Sequence, residues 1–407
     1  MSLSRYVRLS LLCLMVLLAG AAAAQTPFAL RSVGQPLDSE DARMVARGGW
    51  GLAESDTLNP GFKNVASLYD LRHAVVKFTG YGESADNTDI TGSRKTTRTL
   101  TPDIRVAAPV IKGKLALTAG FELYRSHQFK TQVDQVWYAW DDTVTGEERF
   151  QREGTFFSVP LGAAWQIRPG LVVSGTIGLA NGTIRESVQT LFMDPATGTG
   201  VPLYQSNGRV QEDKFSGTAY TVGLLLSPFD RLQLAGTYTP AFDLDVDRKV
   251  EMGGVGSRFR ETWQMTMPAR YEAGLQLGLS DRWQLGADGQ MQAYSEFVGP
   301  AEWDDVMVDE YSVNFGLERL MAFERKGGTG NLPLRLGVGY RRWAYQLGGS
   351  DVIEKTISGG TGFPFGQRMG SLDLALSYSM IGSLAENGME SKIWRMTVSV
   401  TGLEKWW

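Results

Sequence analysis

From residue 72 to the end, apolar and polar residues alternate with a period of two, the repeat of a strand with one wet and one apolar face. Leu115, Leu117, Ala119, Phe121 and Leu123 alternate with Ala116, Thr118, Gly120, Glu122 and Tyr124. Tyr271, Ala273, Leu275, Leu277 and Leu279 alternate with Glu272, Gly274, Gln276 and Gly278, and the same pattern returns at 283–292, 311–318, 332–341, 372–379 and 394–400. It predicts about fourteen strands, with cores at 72–81, 97–108, 114–125, 155–167, 171–182, 215–227, 231–243, 263–279, 282–296, 309–323, 332–345, 351–361, 369–381 and 391–402. No apolar run after residue 25 is long enough for a membrane helix.

The connections alternate in length. Short turns follow the even strands, at Pro109 to Gly113, Arg168-Pro169-Gly170, Pro228-Phe229-Asp230 and Ser280-Asp281. Longer segments, 82–96, 126–154, 183–214, 244–262 and 297–308, follow the odd ones. Short periplasmic turns opposite long outer loops are the arrangement of an outer-membrane β-barrel. The fold expected is therefore all-β: an antiparallel barrel over 72–407 with both termini in the periplasm. A soluble sandwich has the same period, but its second face needs a cover, and no such segment is evident.

Residues 25–71 do not alternate. They are too long for a tether and too short for a separate stable domain, so they are expected to fold back into the lumen as a plug, or hatch. Trp50, Leu52, Phe62 and Leu68 weigh against the other reading, a disordered periplasmic leader. Ahead of them, Arg5 and Arg8, the apolar run Leu9 to Leu18 and Ala22-Ala23-Ala24-Gln25 have the order of a secretory signal peptide, giving 1–24 as the signal.

Composition agrees with a barrel. The chain holds 48 Gly, 11 Trp, 14 Tyr and 18 Phe, yet its mean hydropathy is −0.16. Alternate residues facing lipid give such an aromatic-rich, hydropathically neutral chain. The net charge of −4 gives no reason to expect nucleic acid. The sole cysteine, Cys13, falls inside the signal. With only His73 and His127, and no nucleophile or phosphate-loop motif, the chain offers little for catalysis, and His127 beside Asp141 and Asp142 reads as solvated outer loop. The pairs Asp141-Asp142 and Asp304-Asp305 are weak calcium signals. No metal, cofactor or catalytic set is expected.

The segment Ala46-Arg47-Gly48-Gly49-Trp50-Gly51-Leu52-Ala53, followed by Asp56 and Asn59-Pro60, and the hairpin from Met267-Pro268-Ala269-Arg270-Tyr271-Glu272-Ala273-Gly274 to Ser280-Asp281-Arg282-Trp283-Gln284-Leu285-Gly286-Ala287-Asp288 carry a likeness. With about fourteen strands behind a signal, the chain resembles the outer-membrane long-chain fatty-acid transporter family, of the FadL and toluene-transporter type. It departs from that family's pattern in Gly61, where Ala usually follows Asn-Pro. The resemblance implies a single plugged barrel that takes up long-chain fatty acids or related hydrophobic compounds. Barrels of this kind end on an aromatic that the barrel-assembly machinery recognises, and Trp407 fits, although the lipid-facing register of the last strand runs through Glu404 to Trp406. Outer-membrane lipid, lipopolysaccharide and a hydrophobic small molecule are the other expected partners. The alternative is a non-transporting barrel: a surface anchor, adhesin or secretion component.

Three sets of residues are candidates. Val136, Trp137, Tyr138 and Trp140 in one long segment and Leu191, Phe192 and Met193 in another put more apolar area on outer loops than solvation alone explains. They either capture ligand or pack strand extensions on each other. Arg105, Glu122, Glu272, Asp288, Glu318, Arg335, Arg341, Asp373 and Arg395 fall on the lumen face. Buried charges need partners, so these hold the plug, or an arginine such as Arg335, Arg341 or Arg395 meets a substrate carboxylate. Asn59-Pro60 is either a plug elbow whose movement opens a path or an inert turn.

Overall fold

The computed structural model describes residues 26–30, 33–37, 40–139, 142–193, 207–253, 257–297, 306–320, 332–366 and 369–404. The signal, Trp140, Asp141, the Asp304-Asp305 pair and the two terminal tryptophans lie outside them. An inner segment comes first: a 3-10 turn at Pro27–Leu30, strand β1 (Gln35–Pro36), helix α1 (Ala42–Ala46) and a 3-10 helix at Val65–Asp70. The wall follows as β2 (Ala74–Asp89), β3 (Gly92–Ile111), β4 (Leu115–Ala139), β5 (Asp142–Arg168), β6 (Leu171–Met193), β7 (Asn207–Phe229), β8 (Leu232–Thr239), β9 (Phe242–Met252), β10 (Ser257–Met267) and β11 (Arg270–Gly278). It closes with β12 (Trp283–Gln292), β13 (Glu310–Arg319), β14 (Leu334–Leu347), β15 (Ser350–Phe365), β16 (Gly370–Ser383) and β17 (Met389–Glu404).

Every neighbouring pair is antiparallel, and β17 returns to β2, which closes the barrel. Pro240 interrupts one crossing between β8 and β9, and Pro268 interrupts the next between β10 and β11. A proline cannot donate to the ladder, and the two breaks sit side by side because Thr239 pairs with Arg270 and Phe242 with Met267. Each broken pair is one crossing, so the wall has the fourteen crossings expected.

The alternation decides the faces. Leu117, Ile177, Val222, Leu336 and Leu376 are exposed on the outside, while Asp288, Glu318, Arg335 and Asp373 are buried inside. Tyr238, Tyr271, Tyr311, Tyr340, Tyr378 and Trp394 make one outer aromatic row, with Tyr238 and Tyr271 5.0 Å apart and Tyr378 and Trp394 4.8 Å apart. Trp165, Phe229, Trp283 and Phe363 stand at the opposite rim. From Trp283 to Met291, the partner of Tyr271, is about 26 Å along the strand, which a tilt of about 40° makes roughly 20 Å of apolar band between the aromatic girdles.

One expectation changes. The segments 82–96, 126–154 and 244–262, and both flanks of 183–214, are largely strand: β2 and β3 meet across Ile90-Thr91, and β4 pairs with β5 out to Ala139 and Asp142. Above the lipid both faces of a strand are wet, so the apolar period fades while the hydrogen-bond ladder continues. Thr26 lies beside Ser391, which pairs with Asn87 near the β2–β3 tip, whereas Glu404 pairs with Ala74 at the other rim. The first and last described residues are thus at opposite ends of the barrel.

One seam is incomplete. Pairing between β3 and β4 runs from Ile111 and Leu115 to Asp103 and Glu122, and no further among the described residues. Beyond it β3 continues on β2 alone, and β4 on β5, with β1 added at Pro36–Arg125 and Gln35–Ser126. Asp103 is level with Thr79 and Ser399, five positions below Trp394 of the outer aromatic row. The opening therefore begins within the apolar band.

Candidate functional site

The inner segment is built to be matched by charge. Asp41 caps α1, accepting from the Met44 amide at 2.9 Å, and its carboxylate also takes the Lys77 ammonium from β2. Burial alone would raise the Asp41 carboxyl, but Lys77, its hydrogen bond and the Met44 amide outweigh that and hold it below the usual carboxylate range. Arg43 and Arg47, one helical turn apart, both reach Glu318 on β13. Glu318 accepts from Arg43 Nε at 3.1 Å, Arg47 Nη1 at 2.8 Å, Arg335 Nε at 2.8 Å and Gln284 Nε2 at 2.6 Å. Glu54 and Asp56 close the network from the inner segment, and Asp373 closes it from β16 by binding Arg335 at 2.6 Å.

Shape complements this charge. Helix α1 ends at Gly48 and Gly49, both with left-handed backbone (φ 76° and 98°), which turn the chain flat against the wall. There it meets Gly286, Gly316, Gly337 and Gly360 on four consecutive strands. A Cβ on these would collide respectively with the Trp50 ring, the Arg47 carbonyl, the Gly48 amide and the Ala46 methyl. Trp50 and Leu52 are fully buried, and Arg47 lies 4.0 Å over the Trp50 ring. Asp288 accepts from the Gly51 and Leu52 amides at 2.8 and 3.0 Å.

The Asn59-Pro60 corner is tied to three strands. Asn59 donates to Asp373 at 2.8 Å and accepts from Thr401 at 3.2 Å, and the Pro60 carbonyl accepts from Lys77 at 2.7 Å.

Above this floor the lumen is divided. Gly34 and Leu37 bond β4 through Arg125 and the Tyr124 carbonyl, and Arg125 reaches across to Glu310 on β13 at 2.5 Å. On the side of β4 to β12 lies a cavity of about 100 Å³ walled by Pro160, Ala180, Ala219, Phe242 and Met267, with Glu122, Tyr124, Arg270 and Tyr294 among its polar residues. On the other side a polar cavity of about 70 Å³ is lined by Ser312, Asn314, Thr356, Arg341 and Arg395. A third, about 250 Å³, opens at the far rim between Asp56, Leu58, Pro333 and Phe363.

The lumen residues named from sequence all face inward. Arg105 pairs with Asp103 and Glu122, Arg395 with Glu83 at 3.0 Å, and Arg341 stands 4.0 Å from Glu310. Glu272 accepts from Thr237 at 2.5 Å. Sequence reasoning missed their partners Arg43, Arg47 and Glu83, and the further network members Glu54, Lys77 and Arg125. Lys77 was readable as an inward position of a period-two strand, and Arg43 and Arg47 as a pair at helical spacing. His127 is not solvated loop: it is 1% exposed, with Nδ1 3.1 Å from the Ala29 carbonyl. A bulge at Tyr124 shifts the strand phase, so Arg125 and His127 turn inward beyond it, while Leu123, just before it and expected on lipid, is buried against Leu37 and Tyr81.

The apolar outer candidates do not line these cavities. Val136 and Trp137 lie on β4, about 40 Å of strand beyond Tyr124, and Leu191 and Phe192 lie on β6. Trp137 packs edge-on against Phe192 at 5.3 Å, while Val136 is half exposed. Trp140 and the side chains of Tyr138 and Met193 lie outside the described residues. Among the described residues no group of three or more His, Cys, Asp or Glu is placed to hold a metal.

Closed walls, paired aromatic rows and a matched, filled lumen define an outer-membrane β-barrel. The BamG family model matches residues 4–407, and the chain belongs to that family. No curated protein matches it. Among solved structures, a Pseudomonas aeruginosa FadL homologue has a TM-score of 0.58 at 12% identity, over 90% of this chain and 99% of that one. The Pseudomonas putida toluene transporter TodX (TM-score 0.56, 13% identity, 91% and 99% coverage) and the Ralstonia pickettii toluene transporter TbuX (0.56, 15%, 90% and 98%) are similar. At these identities the likeness is one of fold, and it is the fold expected from the sequence.

Two outcomes follow from this geometry. Glu318→Gln removes the charge that answers three guanidiniums, at a cost of about 3–5 kcal/mol. Residues 41–56 should then lose amide-exchange protection while the wall keeps its own; unchanged protection there would refute the assignment. Acid should act through Asp41. Its carboxyl titrates below its ordinary 3.8 in the folded chain, so its stabilisation is complete above that pH and fades as pH falls below it. Proteolysis of the inner segment should rise below pH 3.8, and less steeply in Asp41→Asn.

Proposed function

We propose that the protein takes up hydrophobic compounds, long-chain fatty acids or related molecules, across the outer membrane. The observation that carries this reading is the pairing of a filled lumen with an incomplete wall. A general pore for polar solutes needs an open, wet channel, whereas here residues 40–71 occupy the lumen and leave small, partly apolar cavities. Glu122 lines the cavity of about 100 Å³ between β4 and β12 and is also the last residue of β4 paired to β3. A poorly soluble molecule in that cavity therefore stands next to an opening at lipid depth, and partition into lipid favours its leaving sideways.

In this reading Val136, Trp137, Tyr138, Trp140, Leu191, Phe192 and Met193 capture the solute. The inner segment gates release, with Asn59-Pro60 as its elbow. The FadL homologue and the toluene transporters support it by fold. A second reading rests on the same seam: β3 and β4 present strand edges that accept an added strand, as β1 already does at β4, which suits a barrel that engages another polypeptide.

Deleting residues 25–58 tests the gate. The deletion should give a leaky barrel with a higher single-channel conductance than the intact protein, and the intact protein should raise oleate uptake in cells that lack their own transporter. Unchanged conductance together with no uptake would sink the proposal.

A further inference from the structure

The cavity between β4 and β12 has a polar end that its own walls do not satisfy. Most groups there have partners: Thr221 and Thr239 bond each other at 2.8 Å, Gln292 donates to the Pro268 carbonyl at 3.1 Å, and Glu122 takes Arg105. Two hydroxyls do not. Tyr294 is fully buried against the Arg125 guanidinium, Tyr124 is partly buried with its oxygen enclosed, and neither phenol oxygen has a hydrogen-bond partner among the described residues. A buried hydroxyl left without a partner is costly, and an evolved site retains one where something else completes it.

The charges nearby say what completes it. Arg125 is committed to Glu310 at 2.5 Å and lies 5.0 Å over the Tyr294 ring. Arg270 has Glu272 at 3.9 Å, and Glu122 adds a carboxylate to the wall. An anionic head entering here competes with Glu310 and Glu272 for their arginines and faces Glu122. A neutral hydroxyl meets no such opposition, because it accepts from one tyrosine and donates to the other. The remaining wall, Phe242, Met267, Ala180, Ala219 and Pro160, is apolar. The volume of about 100 Å³ is somewhat below the roughly 150 Å³ of an apolar cavity that holds benzene, so it suits one small ring or the hydroxyl end of a longer molecule.

We propose that this cavity is a head-group site for hydrophobic molecules bearing a neutral hydroxyl, read by Tyr124 and Tyr294. The proposal rests on the uptake reading and narrows it at this cavity to the related hydrophobic molecules, because it favours hydroxylated compounds over plain hydrocarbons and over carboxylates, fatty acids included. Selectivity of this type comes from the penalty on the unsatisfied site: a ligand of the same shape without the hydroxyl leaves both tyrosines buried and unpaired.

Phenol and toluene differ by a hydroxyl against a methyl and are nearly isosteric, and benzoate supplies the anionic head. Calorimetric titration of the full-length protein in lipid nanodiscs, with empty nanodiscs subtracted, should give phenol affinity about tenfold or more above both toluene and benzoate. In Tyr124→Phe/Tyr294→Phe, phenol and toluene should bind within about twofold of each other, mainly because toluene binding improves. Retained toluene binding also reports that the variant is folded. Toluene binding as tightly as phenol in the native protein, a preference that survives the double substitution, benzoate matching phenol, or no binding of any of the three would each overturn the proposal. Oleate uptake by the native protein alongside any of these would leave the uptake reading standing.

Discussion

The interior of this barrel depends on the Glu318 carboxylate, which is shut away from water and must be answered there. Two of the three guanidiniums that answer it, Arg43 and Arg47, come from the inner segment, and the third, Arg335, comes from the wall and is shared with Asp373. The arrangement is reciprocal. Without the inner segment, Glu318 faces one arginine across an emptied lumen; without Glu318, α1 brings two arginines into a site that cannot hold them. Buried pairs of this kind contribute little net stability against an apolar alternative, but removing one member is expensive. What they specify is position. Charge fixes where the segment docks, and the row of glycines from Gly286 to Gly360 lets its backbone come close enough for that charge to be met.

How much of this was legible in the sequence follows from where the solvent changes. Within the lipid each strand has one face in hydrocarbon and one inside, so the period of two is strong, and positions such as Glu318, Arg335 and Asp373 were readable as inward. Past the aromatic row at Tyr238, Tyr271 and Trp394 both faces meet water, the period fails, and the outer parts of β4, β5 and β6 read as loops. Ladder hydrogen bonds leave no such trace, since any residue but proline makes them. The phase change at Tyr124 was hidden for a related reason. One extra residue in a bulge flips every later side chain, and neither Arg125 nor His127 marks it by type.

The inner segment was legible only as an exception to the pattern. Its one helix, Ala42–Ala46, is too short to show a period, and its fold is dictated by the cavity around it rather than by its own propensities. Arg43, Arg47 and Glu54 therefore carried no sign of their partners, 271 and 275 positions away for the two arginines. Only the inward charges of the wall implied that matching charges had to exist, without saying where.

The inner segment and the open seam are two parts of one constraint. A closed barrel satisfies its backbone by pairing each strand on both sides, and β3 and β4 give that up above Asp103 and Glu122. The groups so released sit beside a stretch of the inner segment, and β1 restores two positions of pairing on β4. Arg125 in turn bonds the Gly34 carbonyl and Glu310, so the same residue that meets β1 also crosses the lumen. The segment that fills the barrel is thus also what steadies the defect in its wall. Any displacement large enough to clear the lumen removes support from β4 at the seam, which couples the state of the lumen to the state of the side opening through Arg125.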